Sequence, residues 1–378
     1  MKRIKFLLAA FLLVGCSSQK TETQICKFEM PKEIVVSFSG VGDNLIHETV
    51  YQDAQLEDGS FDFKAMYEDV AGDMKASDIA FINQETILGG TELGLSGYPS
   101  FNSPQEIAQN LKDSGFNLLN LATNHALDRS ERGIRNELNV LSQIEGMNYD
   151  GVYLSQEDYD HIVTFEKKGI TFSYLAYTYG TNGIVPANSY NVSYFDDDTI
   201  IRDVKKAKEI SDVVIVSAHW GDENTFTPNS FQRHYAQLFA DLEVDVVIGT
   251  HPHVIQPVEW LTGVNGNQTL VVYSLGNFIG GMLTTNNAIG GMIQFDFIKE
   301  GDDIHIDHVK WVPLVIHFEG NQNNILPERY HYKSYKVSNY TDELASKHVL
   351  NGFEGNIVSL NYINQITEQV IDSVYLEK

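Results

Sequence analysis

Cysteine is nearly absent: the 378-residue chain has two, Cys16 and Cys26. With Cys16 placed where a lipid would be attached, Cys26 has no intrachain partner, which excludes an internal disulfide. Positive charge is also scarce. Lys and Arg number 26 against 51 Asp and Glu, a formal net charge of −25. Phosphate backbones are held by a basic footprint, so nucleic acid is excluded as a partner, and so is a membrane surface bound by charge. The acidity suits solubility and divalent cations. A polyanionic substrate needs local relief from it, most simply from bound metal. No Gly-x-x-x-x-Gly-Lys loop is present, which argues against an ATP-dependent ligase. Internal repeats and low-complexity tracts are lacking too.

The only leader-like apolar run is N-terminal. Lys2, Arg3 and Lys5 precede Phe6 to Val14, and Gly15-Cys16 follows. This reads as a secretory signal over 1–15, too short to remain as a membrane helix. Leu13-Val14-Gly15-Cys16 looks like a bacterial lipobox, so residues 16–30 are expected to be a lipidated Cys16 and its tether. The expected location is the extracytoplasmic face of the bacterial membrane. The leader holds three cations, leaving −28 for the side chains that follow.

The remaining chain is long enough to bury a core without cross-links. Periodicity predicts strands over 33–40, 79–82, 117–121, 213–217, 244–248 and 270–275, the central ones as short apolar runs. Helices are predicted over 63–75, from Ser103-Pro104 to about 114, and over 132–144, 198–209 and 229–242. Residues 161–165 and 170–179 read as a hairpin turning at Lys167-Lys168-Gly169, and 288–298 with 304–314 as paired strands. The fold class is α/β, with two sheets and helices outside them. The main domain is placed at 31–320. Residues 321–378 are Asn-rich at first, then helical from Asp342 and Asn361, a mostly helical C-terminal extension.

Rare polar residues fall just after the predicted strands: Asp43, Glu85, Asn124, His125, His219, His251 and His253. The C-terminal ends of parallel strands share one edge, so these groups are expected to converge there. Imidazole and carboxylate are ligands for divalent metals. Three histidines with Asp and Glu exceed the needs of one tetrahedral ion and would serve two metals that activate water. Each residue also has an ordinary alternative: Asp43 as a turn residue, Glu85 as a surface acid, Asn124-His125 as a helix cap, His219 as a packed histidine. His251-Pro252-His253 is the pattern hardest to explain by packing. Asp128 is positioned to support His125 from three residues away. Asp222 and Glu223 compete for a place beside His219, with Glu223 preferred. His47 is a candidate for the rim, and Arg129 and Arg135 are candidates for contacting an acidic substrate. The loop from Gly89 to Asn102, with Tyr98, Pro99 and Phe101, is expected to wall the cleft. In Ser274-Leu275-Gly276-Asn277-Phe278, Gly276 would permit close backbone approach and Asn277 would pin a loop.

Six motifs in order resemble the CapA family of bacterial capsule and poly-gamma-glutamate biosynthesis proteins. They are Val41-Gly42-Asp43, Asn83-Gln84-Glu85-Thr86, Leu121 through Asp128, His219-Trp220-Gly221-Asp222-Glu223, Gly249 through Val254, and Tyr273 through Phe278. The family is similar to calcineurin-like metallophosphoesterases, which implies a metallophosphatase-like four-layer α-β-β-α sandwich. It also implies that Asp43, Glu85, Asn124, His125, His219, His251 and His253 ligate metal. The first motif departs from the phosphoesterases, since Asn44 and Leu45 follow Asp43 where they have Asp-x-His.

The expected function is a capsule or poly-gamma-glutamate biosynthesis lipoprotein with a metal-dependent, hydrolase-like site. One or two divalent ions (zinc, manganese or iron) would activate water. Catalysis is assigned to Asn124, His125, His219, Asp128 and Glu223, with Asn124 stabilising oxyanion charge and His125 or His219 relaying a proton. The expected partners are an anionic surface polymer or small phosphoester and other capsule-synthesis membrane proteins. Two rivals stand beside this reading: a non-enzymatic polymer-binding assembly factor, and a solute-binding surface lipoprotein.

Overall fold

The computed structural model describes residues 33–376. The leader, Cys16, the tether and Cys26 therefore lie outside the described residues. In chain order the first half runs β1 (Ile34–Asn44), α1 (Glu48–Asp53), α2 (Lys64–Ala76), β2 (Ile79–Gln84), α3 (Glu106–Asp113), β3 (Leu118–Asn120), α4 (Ser130–Leu141), β4 (Asn148–Asp150) and α5 (Gln156–Tyr159). There follow β5 (Val163–Lys167), β6 (Ile170–Thr178), α6 (Asp197–Ile210), β7 (Val213–His219), α7 (Ser230–Asp241), β8 (Val246–Thr250), β9 (Ile255–Thr262) and β10 (Gln268–Leu275). The chain closes with β11 (Asn277–Ile279), α8 (Thr285–Ala288), β12 (Ile289–Glu300), β13 (Asp303–Gly320), β14 (Arg329–Lys336), α9 (Asp342–Lys347) and α10 (Leu360–Val370).

Two sheets form. The first has the order β14-β13-β12-β1-β2-β3-β4 with β11 beside β1, and the second has β5-β6-β7-β8-β10-β9. Strands β1 to β4 are mutually parallel, as are β6, β7, β8 and β10. Strand β7 explains the layering. Val213 and Ile215 belong to the core between the sheets, whereas Val214, Val216 and Ala218 pack with Ile200, Val204 and Ala207 of α6 and Phe239 of α7. Period-two alternation thus buries both faces of one strand, which is why it reads as a continuous apolar run. On the other side, Tyr67 and Val70 of α2, Ile107 and Leu111 of α3 and Ile134 of α4 cover the first sheet. Aromatic contact across the middle comes from Phe172 of β6 and Phe297 of β12, centroids 5.1 Å apart. The result is a four-layer α/β sandwich.

Three expectations need correction. Strand β1 continues to Asn44, so Asp43 lies inside the strand rather than after it; β11 pairs alongside and extends it. His219 is likewise the last residue of β7, not a loop residue beyond it. The segment after 320 supplies β14, an antiparallel partner of β13 that completes the first sheet, in addition to helices α9 and α10. Its Tyr332, Tyr340, Leu350 and Ile363 join the main core. Among the described residues no helix is long and apolar enough to cross a membrane.

Candidate metal centre

The parallel strands deliver their polar residues to one edge. Asp43 is the penultimate residue of β1, Glu85 follows β2, Asn124 and His125 follow β3, His219 ends β7, and His251 and His253 follow β8. The neighbourhood is tightly made. Gly42 approaches so closely that an added Cβ would lie 1.8 Å from the carbonyl oxygen of Gly276, and that carbonyl accepts the Asp43 N–H at 3.0 Å. The register of β1 shifts at Asp43, a local bulge that re-aims its carboxylate.

Asp43 is fully buried. Its Oδ1 accepts from Asn83 Nδ2 (2.7 Å) and from the His251 N–H (3.3 Å), and its Oδ2 lies 3.1 Å from His253 Nδ1. Asn277 Oδ1 shares that Nδ1 at 3.0 Å. With its proton thus held on Nδ1, His253 presents Nε2 to Glu85 Oε1 at 3.6 Å. His219 Nδ1 lies 3.0 Å from Thr250 Oγ1, and its Nε2 lies 3.0 Å from Asn124 Oδ1 and 3.9 Å from Glu85 Oε1. His251 and His253 adopt positive φ, 95° and 58°. Such backbone costs roughly 1–3 kcal/mol per residue and persists where the surroundings fix it.

Glu85 is the centre of the cluster and the exception within it. It is fully buried, and neither carboxylate oxygen has a hydrogen-bond partner. His251 Nδ1, also buried, has none either. Leaving such groups unsatisfied is costly, so native proteins rarely do it without a ligand to receive. Ligand atoms of Glu85, His219 and His251 lie within 4.8 Å of one another, as do those of Asp43, Glu85 and His253, and of Glu223, His251 and His253. Three imidazoles and two buried carboxylates fit a divalent cation in number and kind.

The electrostatics suit ligation at His219 and His251 and set His253 apart. Burial raises Glu85 well above the ordinary carboxylate range, with Asp43 adding to the rise and His253 opposing it. Burial and then the adjacent histidines hold His219 and His251 well below the ordinary imidazole value, in the neutral form that ligates. His253 moves the other way, to about 10, because the facing Glu85 and Asp43 outweigh its burial.

Other sequence candidates divide. His125 Nδ1 lies 2.7 Å from Asp128 Oδ2, which also accepts the Phe101 N–H at 2.6 Å, and the Phe101 ring stands edge-on to His125 at 4.6 Å. The loop from Gly89 to Asn102 therefore walls the site through Phe101, while Tyr98 is 79% exposed. Glu223 is exposed but reaches His251 and His253; Asp222 instead accepts from Asn229 Nδ2 at 2.9 Å. Neither arginine stands free for substrate. Arg129 is spent on Ser96, Ser100 and the Asp128 carbonyl, and Arg135 pairs with Glu131. His47 packs beside Phe101, and its Nδ1 accepts from the Gly281 N–H; burial pushes it down to about 3. Asn277 Nδ2 donates to the Asn287 carbonyl at 2.9 Å.

Sequence reasoning gave no role to Asn83, whose amide bonds Asp43 and whose Oδ1 accepts from Asn120 Nδ2 at 2.7 Å. An Asn within an otherwise apolar buried strand was the available signal. Tyr179, with its ring 4.6 Å from that of His251, carried no such signal. A cavity of about 1020 Å³, lined by Tyr149, Asp150, Tyr153 and His161 among others, shares no residue with this centre. Donor chemistry, not cavity size, marks the site.

The profile of the family described as bacterial capsule synthesis protein PGA_cap matches residues 37–282. The chain belongs to that family. That span holds Asp43, Glu85, Asn124, His125, His219, Glu223, His251 and His253. Among curated relatives, the PGA biosynthesis protein CapA of Bacillus subtilis (strain 168) is 31% identical over 200 residues, 52% of this chain and 51% of that protein. The capsule biosynthesis protein CapA of Bacillus anthracis is 26% identical over 209 residues, 54% of this chain and 49% of that one. The chain thus matches about half the length of these relatives. Among solved structures it is similar to a novel phosphatase from Mycoplasma pneumoniae (TM-score 0.49, 13% identity, 75% of this chain and 95% of that one). It is also similar to a hypothetical protein from Thermus thermophilus (TM-score 0.46, 17% identity, 74% and 98%).

Proposed function

We propose that this chain is a capsule-biosynthesis lipoprotein whose metal centre hydrolyses a surface polymer or phosphoester. One observation carries the reading: the unpartnered carboxylate of Glu85, fully buried and ringed by His219, His251, His253 and Asp43. Asp43, Glu85, His219, His251 and His253 would hold one or two ions of zinc, manganese or iron, with Glu223 at the exposed side. A divalent ion bound there supplies Lewis acidity and lowers the pKa of water. The chain's own groups do the rest. Asn83 and Asn277 fix Asp43 and His253. Asp128 orients His125 through Nδ1, leaving Nε2 to pass a proton to a leaving group. Tyr179 covers the His251 ring and limits access of bulk water.

The expected substrates are anionic, a gamma-linked polyglutamate or a phosphoester, whose charge a bound cation would offset against the chain's −25. Anchoring through lipid on Cys16 and association with other capsule-synthesis membrane proteins belong to the same proposal. The test is metal analysis of the full chain with assays on phosphodiester, phosphomonoester and gamma-glutamyl substrates, beside a His251→Ala/His253→Ala variant. Metal at the strand ends and turnover in the native chain, both lost in the variant, support the proposal. Metal without turnover on any of the three leaves the non-enzymatic polymer-binding reading. A folded native chain that takes up no metal overturns both.

A further inference from the structure

We infer that a second divalent-cation site, separate from the centre above, lies on the β13–β14 ribbon and is formed by His317, Glu319 and His331. Glu319 Oε1 stands 3.7 Å from His317 Nε2 and 3.6 Å from His331 Nδ1. Both separations are too long for hydrogen bonds. These two edges approach the ~3.4 Å that bonds of about 2.0–2.1 Å make in a tetrahedral shell, whereas the two imidazoles stand further apart than the 4.8 Å within which the strand-end donors gather.

The site is built rather than incidental. The His317 side chain is 2% exposed, and its Nε2 has no hydrogen-bond partner. Its Nδ1 lies 2.8 Å from the Tyr340 hydroxyl, which fixes the ring with Nε2 facing Glu319; in the tautomer that donates from Nδ1, Nε2 offers its lone pair to a cation. Metal-binding histidines are commonly oriented in this way through their second nitrogen. The neighbouring His348 differs: it donates Nε2–H to the Ile316 carbonyl and accepts the Leu350 N–H, so both nitrogens are used. The backbone is arranged for the third donor. Register shifts between His317 and Glu319, and His331 adopts φ 59° with its N–H on Asp53 Oδ1 at 2.9 Å. Bulges of this kind redirect a side chain. Nearby positive charge is neutralised, Lys333 by Glu68 and Lys347 by Glu343. Two imidazoles and one carboxylate, open to water on the His331 side, match the three protein donors of a zinc site with a solvent position. His331 is 67% exposed, so its side chain has room to turn toward His317, the rotation that closing the shell requires. An ion there would clamp β14 to β13, just where Arg329 of β14 donates to the Gly281 carbonyl beside His47.

The experiment titrates zinc into the full chain after chelation, with calorimetry as readout, in the native background and in His251→Ala/His253→Ala. One zinc equivalent is expected to remain in the double variant. Adding Glu319→Gln or His331→Ala, at solvent-accessible positions, is expected to weaken that equivalent at least tenfold. In the native background either substitution alone removes one equivalent. The His317 Nε2 resonance is expected to shift with zinc, which a chance surface histidine would not cause. Zinc binding that is unchanged by both substitutions overturns the site, and so does a His317 resonance that zinc does not move.

Discussion

The centre at the parallel strand ends and the cluster on the β13–β14 ribbon gather histidine and carboxylate by different means. At the strand ends, donors come from four strands of two sheets, and residues as far apart as Asp43 and His253 touch. On the ribbon, His317 and Glu319 are near neighbours on one strand, and the register shift between them leaves His331 of the partner strand 3.6 Å from Glu319. The first arrangement depends on the whole sandwich and the second on one antiparallel pair. A buried carboxylate elsewhere shows what neither cluster is. Glu137 is as buried as Glu85, yet its Oε1 accepts the Leu88 N–H at 3.1 Å. Burial raises Glu137, to about 8, and no histidine is among the groups that shift it. It is therefore Glu85's unpartnered state among imidazoles, not its burial, that distinguishes a metal centre.

The largest expected effect separates the two clusters. His251→Ala/His253→Ala should abolish metal at the strand ends and lower any hydrolysis by roughly 100-fold or more, since the activated water is lost. Metal analysis and turnover measure this, and the ribbon equivalent should survive. Retention of all metal would mean that the strand-end donors are not ligands.

Next is Asp128→Asn. It keeps the shape but removes the charge that holds His125 Nδ1, and a loss of about 10- to 100-fold in activity or metal affinity is expected. An unchanged pH–rate profile and unchanged metal binding would reduce Asp128 to a support for the Phe101 loop.

Gly42→Ala tests how far the strand-end centre depends on backbone contact. A methyl group would have to fit where the Gly276 carbonyl already stands, so destabilisation of about 1–3 kcal/mol or more is expected in denaturant unfolding. No comparable cost should follow substitution on the ribbon.

Glu137→Gln provides the control carboxylate. The folded value of Glu137 lies above its unfolded one, so its contribution is fully present below the ordinary carboxylate pKa and is lost as pH rises toward about 8. The native chain should lose stability relative to the variant through that window, by up to about 1.4 kcal/mol per pH unit. Parallel stability curves for the two proteins from pH 4 to 9 would show that Glu137 does not titrate in this way.

Glu223→Gln should have the smallest effect, a few-fold at most in metal affinity, because the residue is exposed and solvent screens it. A loss as large as that of the histidine pair would move Glu223 from the rim into the ligand set.

Much of the strand-end centre was legible in the residue order. Polar residues that interrupt or close apolar runs are exceptional, and His219 and His251-Pro252-His253 were visible for that reason. The parallel topology that makes strand ends converge follows from alternating strands and helices. Asn83 was less legible, because an amide in a strand looks the same whether it faces a metal ligand or a turn. Arg129 was misleading: its charge suggested a substrate, but the folded chain uses it on Ser96, Ser100 and the Asp128 carbonyl.

Apolar periodicity and polar residues at fixed short spacing are local properties, and they were enough for the α/β class, the two sheets and the expectation that polar residues gather at the strand ends. Register and hydrogen-bond partners are long-range properties, decided only when the sheets pack. Packing extended β1 to include Asp43, made β14 part of the first sheet, left Glu85 without a partner, and set Glu319 between two imidazoles. The same histidine or carboxylate is inert when its hydrogen bonds are met and open to a ligand when they are not, and that difference arises only from the neighbours the tertiary fold supplies.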